Sequence, residues 1–136
     1  MNKNKKYLPY GKHHIDDFDI EEVVSVLKSD FLTTGSKTIE FESEFAKHTE
    51  SKFAISCSSG TAALHLALLS LDLPENSNII VPSISFLATA NVVELIGGKI
   101  IFADVDEESG VLSESSILSA IKNTNSEVSA ILPVHL

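Results

Sequence analysis

An α/β sandwich built on crossover connections is the fold class this sequence predicts, on three observations. From residue 53 onward, short apolar runs alternate with helical patterns in the order strand, helix, strand, helix, strand, helix, strand. Pro82 and Gly97-Gly98 punctuate the junctions between these runs. With 43% hydrophobic and 21% charged residues, the composition is that of a folded globular chain rather than a disordered one. A length of 136 residues suits one domain, whose core needs neither disulfide nor metal. Crossovers of this kind imply parallel pairing between strands.

The elements follow in order. Residues 1–14 are polar and extended, broken by Pro9 and Gly11. A helix starts after Asp17 or Asp19, where Ile20, Val23, Val24 and Leu27 recur at helical spacing, with Glu21 and Glu22 near the positive end of its dipole. Ser29 to Gly35 reads as a loop. A second helix runs from about Thr38 to His48 on the apolar positions Ile39, Phe41, Phe45 and Ala46. Residues 1–52 therefore form an appendage, and 53–136 the α/β body. In that body Phe53 to Ser56 reads as a short buried strand. The helix after Ser59-Gly60-Thr61 is apolar almost all round, so it is expected to be buried on several sides. A strand from Asn78 to Val81 ends at Pro82, and a helix from Leu87 to Ile96 is closed by Gly97-Gly98. Lys99 to Ala103 is the next strand. Ser113 or Ser115 caps a helix reaching Ile121, and Val128 to Val134 is the last strand. Leu136 falls on or just past a strand that should be buried. The expectation is a fragment, or an edge covered by a partner.

Charge and cysteine use narrow the function. A formal net charge of -9 and a pI near 4.9 repel phosphate backbones and argue against nucleic acid as a partner. They leave a small anionic ligand open, because local backbone dipoles outweigh overall charge. Cys57 is the only cysteine, so no internal disulfide forms. No apolar run approaches the roughly 20 residues of a membrane helix, and polar residues fill positions 2 to 6 where a signal peptide would begin. The expected location is the cytoplasm, with no membrane partner.

Few residues sit where chemistry would need them. Gly60 and Thr61 stand where a strand turns into a helix, and unpaired N–H groups there favour an anion. The same residues serve as an ordinary helix cap. This is neither a Walker P-loop, since the Lys-Ser/Thr pair is absent, nor a G-x-G-x-x-G dinucleotide turn. Phe86 follows a strand end, on the edge where α/β folds gather ligands. It is either a platform under an aromatic ring or a core anchor for the next helix. Asp104 and Asp106 could serve a metal or acid–base chemistry, but turn-capping is the commoner use of such a pair. His13, His14, His48, His65 and His135 show no metal-ligand spacing, so no metal site is expected. His65 reads as a core histidine, and His135 lies on the ligand edge if the sheet is parallel there.

Six segments occur together in one order: Pro9-Tyr10-Gly11-Lys12; Ser29-Asp30-Phe31-Leu32-Thr33-Thr34-Gly35 with Phe41-Glu42; Ser58 to His65; Pro82 to Asn91; Phe102 to Asp106; and Pro133-Val134-His135. In this the chain resembles the DegT/DnrJ/EryC1/StrS family of sugar aminotransferases over nearly its whole length. The resemblance implies the N-terminal, incomplete part of a fold-type-I large domain, a three-layer α/β/α sandwich with a mostly parallel sheet. It implies pyridoxal 5'-phosphate (PLP) as cofactor, with Gly60, Thr61 and Ala62 at its phosphate and Phe86 stacked on its ring. Tyr10 and the loop Asp30, Phe31, Leu32, Thr33 would line a nucleotide-sugar site. The opening and the SDFLTTG segment look most like members that aminate C4 of a UDP-linked 4-keto-6-deoxy sugar in pseudaminic acid biosynthesis, with glutamate as donor. A homodimer is implied for the complete protein.

The departure from the family pattern concerns catalysis. The lysine that forms the Schiff base, and the aspartate that pairs with the pyridine nitrogen, are expected beyond Leu136. No residue in this chain is therefore assigned as catalytic, and the fragment alone is expected to be inactive. The alternative is a non-catalytic remnant that binds a phosphate-bearing ligand or pairs with a full-length paralogue.

Overall fold

A computed structural model describes residue 9, residues 11–124 and residues 126–136. They fall into two compact units that divide between Ser56 and Cys57.

The first unit holds two helices, α1 (Asp17–Leu27) and α2 (Ser36–His48). A reciprocal cap starts α1: Asp19 N–H donates to Asp16 Oδ1 at 3.1 Å, and Asp16 N–H donates to Asp19 Oδ2 at 3.0 Å. Two orphan donors are thereby satisfied at once. The cap is thus Asp16, one residue before the expected start. Helix α2 begins at Ser36, earlier than its apolar pattern suggests, after a Gly35 cap that makes no side-chain hydrogen bond. Lys37 ties the helices through Glu22 at 3.0 Å and also meets Glu40 at 3.1 Å, all three exposed.

The expected strand from Phe53 to Ser56 is not formed. Phe53 and Ile55 are 76% and 82% exposed, and no strand among the described residues lies alongside to complete a ladder. The Ser56 N–H goes instead to a side chain, donating to Glu42 Oε1 at 2.7 Å, with the Ser56 hydroxyl donating to the same oxygen at 2.8 Å.

The second unit contains α3 (Gly60–Leu69), β1 (Asn78–Pro82), α4 (Leu87–Leu95), β2 (Lys99–Ala103), α5 (Glu114–Thr124) and β3 (Val128–Ile131). Its three strands form one sheet in the order β2-β1-β3, and both pairings are parallel. Central β1 has neighbours on either side, and its apolar run Ile79-Ile80-Val81 is wholly buried. Alternation along the strand sends these side chains to opposite faces. Ile79 and Val81 pack with Leu68, Val92, Val93 and Leu132, while Ile80 packs with Ala103 and Ala120. Helices α3 and α4 thus cover one face and α5 the other, giving the α/β/α layering that the family resemblance implies. Each fully buried Leu, Ile or Val among them contributes about 1.5–3 kcal/mol.

Helix α4 ends as its glycine pair foretells. Gly97 takes φ +73, its N–H donates to Glu94 O at 2.9 Å, and Gly98 N–H donates to Val93 O at 2.9 Å. That is a Schellman cap, for which a left-handed glycine is suited. Helix α3 departs from expectation: Leu68 is its one buried residue, and Leu64, Leu66 and Leu69 remain exposed. It packs mainly on α4, and through Leu68 on the sheet, which leaves much of its apolar surface uncovered among the described residues. His65 is accordingly half-buried rather than core. Strand β3 stops at Ile131 rather than Val134. Leu132 still donates to Ile80 O at 2.9 Å, but Pro133 has no N–H to continue the ladder. No helix among the described residues is long and apolar enough to cross a membrane.

Candidate functional site

Because the strands are parallel, their C-terminal ends share one edge, where ligands collect in open α/β sheets. Strand β1 delivers the chain to this edge at Pro82. The loop that follows is fastened to the end of β2: Ser83 N–H donates to Ala103 O at 2.8 Å, and its hydroxyl to Asp104 Oδ1 at 3.3 Å. Phe86 then caps α4 in an extended conformation, and its ring is 75% exposed. A core anchor would be buried, so the structure leaves the ring free to serve as a platform.

The start of α3 divides two tasks between neighbouring residues. Ser59 is the cap: its Oγ accepts from Ala62 N–H at 3.1 Å, and its carbonyl accepts from Ala63 N–H at 3.0 Å. The N–H groups of Gly60 and Thr61 find no acceptor among the described residues, nor does the Thr61 hydroxyl have a partner there. A Cβ placed on Gly60 would meet nothing within 4 Å, so the space before this helix end is open. The helix end is thus capped and still keeps two N–H groups and a hydroxyl available to an anion.

A cleft of about 680 Å³ joins these parts, lined by Gly60, Thr61, Ala63, Leu64 and Ala67 from one side and Phe86, Ala88 and Thr89 from the other. Its size suits a small cofactor. Free helix N–H groups at one point, an exposed aromatic ring at another and apolar walls between them fit a phosphate-bearing aromatic molecule such as PLP. Ala62, expected at the phosphate, is not among the lining residues, and its N–H is spent on the Ser59 cap. The sequence reading missed Ala63, Leu64, Ala67, Ala88 and Thr89. The signal was present in helical spacing, which stacks Thr89 three residues after Phe86 and Ala67 four after Ala63.

The other candidates resolve differently. Asp106 caps a turn: its Oδ1 accepts from Ser109 N–H and from the Ser109 hydroxyl, each at 2.9 Å. These bonds, the backbone one foremost, hold its carboxyl below the ordinary value. No cluster of His, Cys, Asp or Glu suited to a metal occurs among the described residues. His135 follows β3 toward the ligand edge and is exposed. The two lysines of this unit lie elsewhere. Lys99 opens β2 and Lys122 sits in the last turn of α5, both belonging to the opposite edge of the sheet.

In the first unit, Asp30, Phe31 and Leu32 border a cavity of about 340 Å³ together with Ser29, Gly35 and Lys37. Thr33 is not among its lining residues. A Cβ at Gly35 would come within 3.1 Å of the Phe31 carbonyl oxygen, so a larger residue would crowd this turn. Tyr10 lies outside the described residues.

Comparison with known proteins accords with this geometry. A UDP-4-amino-4-deoxy-L-arabinose–oxoglutarate aminotransferase of Shewanella sediminis (strain HAW-EB3) is 34% identical over 132 residues, which cover 97% of this chain and 33% of that protein. The aminotransferase from Psychrobacter cryohalolentis superposes with a TM-score of 0.82 at 33% identity, over 94% of this chain and 32% of that one. The E. coli GDP-4-keto-6-deoxy-D-mannose-3-dehydratase, solved with bound hydrated PLP, gives 0.81 at 29% identity, over 94% and 34%. The chain spans about a third of the length of these relatives. The sequence model of one family, the DegT/DnrJ/EryC1/StrS aminotransferase family, matches residues 13–136. With that match and this shared fold, the chain belongs to the DegT/DnrJ/EryC1/StrS aminotransferase family.

Proposed function

We propose that this chain is the cofactor-cradling part of a PLP-dependent nucleotide-sugar aminotransferase. The observation that carries the reading is the cleft in which free N–H groups of α3 and the exposed Phe86 ring share one wall-lined space. When bound, PLP supplies an electron sink that lets an amino group move between carbon skeletons. This chain's part is binding and orientation. The N–H groups of Gly60 and Thr61, with the Thr61 hydroxyl, hold the phosphate dianion at the positive end of α3. The Phe86 face sets the ring plane. The loop Asp30 to Thr33, with Tyr10, binds the nucleotide sugar, part of which fits the cavity that Asp30, Phe31 and Leu32 border.

The substrate pair in this reading is glutamate and a UDP-linked 4-keto-6-deoxy sugar, as in pseudaminic acid biosynthesis. The proton-transferring lysine and the acidic partner of the pyridine nitrogen are assigned to sequence beyond Leu136. The placement of Lys99 and Lys122 away from the ligand edge supports that assignment. The complete protein is read as a cytoplasmic homodimer.

The test is isotope transfer with the intact protein. Given PLP, 15N-glutamate and the UDP-4-keto sugar, it should place 15N on C4 of the sugar, read by NMR. Loss of the C3 hydroxyl without nitrogen transfer would instead align it with the dehydratase relative. Phosphate-competed PLP binding with neither reaction would leave a binding module.

A further inference from the structure

Two polar residues are buried among the described ones, Ser77 and Thr89, at 8% and 5% exposure. They are treated differently. The Ser77 hydroxyl donates to Pro74 O at 2.6 Å, so its burial is compensated within the fold. The Thr89 N–H donates to Phe86 O at 3.0 Å, but its hydroxyl makes no hydrogen bond to any described residue. A buried hydroxyl without a partner is costly. No side-chain oxygen or nitrogen among the described residues is both sealed from solvent and unpartnered, so the Thr89 hydroxyl keeps an opening. Thr89 borders the cleft that also takes in Gly60, Thr61 and Phe86. That cleft is the open space against Thr89.

We infer that Thr89 is a further ligand-binding residue of this cleft, whose hydroxyl pairs with a polar group of the bound phosphate-bearing aromatic cofactor. The inference rests on the cofactor reading above. It adds a third point of contact to those at the α3 end and the Phe86 ring. Sitting one turn after Phe86 on α4, Thr89 couples the ring platform and a hydrogen bond to one rigid element. Without a ligand the hydroxyl has no partner among the described residues, and with one it gains a hydrogen bond.

That opposition makes the test decisive. In the intact protein, Thr89→Val keeps the shape and removes the hydroxyl, while Thr89→Ser keeps the hydroxyl. Titration with PLP should show Thr89→Val weakened about tenfold and Thr89→Ser near wild type, as expected for one lost hydrogen bond. The melting temperature of the cofactor-free Thr89→Val protein should be unchanged or raised. Ser77→Ala serves as the contrast, losing stability without losing affinity. Equal PLP affinity in wild type and Thr89→Val overturns the role of Thr89 and leaves the cofactor reading standing. A wild-type protein that binds no PLP overturns both. A Thr89→Val protein that loses affinity only in proportion to a lowered melting temperature assigns Thr89 to packing and also overturns the proposal.

Discussion

At the scale of single residues, exposure separates what a side chain does for folding from what it does for a ligand. Phe86 is 75% exposed, so Phe86→Ala should leave the melting temperature almost unchanged while weakening PLP binding about tenfold, the worth of an aromatic stack. A fluorescence titration beside a thermal melt checks both halves. Glu42 is the opposite case, a carboxylate spent on structure. The Ser56 N–H, and after it the Ser56 hydroxyl, hold its pKa below the ordinary 4.5. A lowered folded-state pKa means that the stabilisation is complete above 4.5 and fades as pH falls through the lowered value. Glu42→Gln should therefore flatten the acid limb of stability against pH below that point and change its slope little at neutral pH, which denaturant melts across pH will show. Neither partner of this pair was legible as such from the sequence, because residues 14 apart meet only once the chain has turned. Phe86 and Thr61 were legible as candidates but ambiguous, since a platform and a core anchor are both aromatic, and an N-cap and an anion site use the same residue types. The structure separates those uses by giving the cap to Ser59.

At the scale of elements, local chemistry was readable where a terminus decides its own fate. Gly97-Gly98 announces the end of α4, and the structure forms the cap the pair suggests. Gly98→Ala should cost stability, because its Cβ would lie 3.0 Å from Val93 Cγ1, 3.1 Å from Val93 O and 3.3 Å from Ile79 Cδ1. Overpacking of this kind costs about 1–3 kcal/mol. Ser59→Ala should cost about 1 kcal/mol through the lost N-cap. Urea melts of both variants test the pair, and an unaffected Gly98→Ala would mean the turn can shift to make room. Elements that depend on neighbours were less readable. Phe53 to Ser56 has strand-like residues, yet a strand exists only with a partner to complete its ladder. The apolar surface of α3 speaks of burial all round, but α4 covers only part of it. A hydrophobic pattern records what an element is suited to bury against, not how much of that cover these residues provide.

At the scale of the whole molecule, a central strand wrapped on both faces coexists with much uncovered apolar surface. Phe18, Phe53, Ile55, Phe102 and Leu136 are all more than half exposed. Strands β2 and β3 each offer an unpaired edge among the described residues. Such edges template association. The 136-residue chain expressed by itself should therefore self-associate. A monodisperse monomer by light scattering, unfolding cooperatively, would count against this. The sheet also carries a schedule for its own assembly. Strand β1 meets β2 across 21 positions, with Asn78 opposite Lys99, but meets β3 across 50, with Asn78 opposite Val128. Closing the longer loop sacrifices more chain freedom before any contact rewards it. The register slip between Asn78 and Ile79 loosens that same seam. The β1–α4–β2 unit is then the early, slowly exchanging nucleus, and β3 is the last strand in and the first out. In native-state hydrogen exchange, the amide of Leu132, bonded across that seam to Ile80, should trade its proton well before the amides that join β1 to β2.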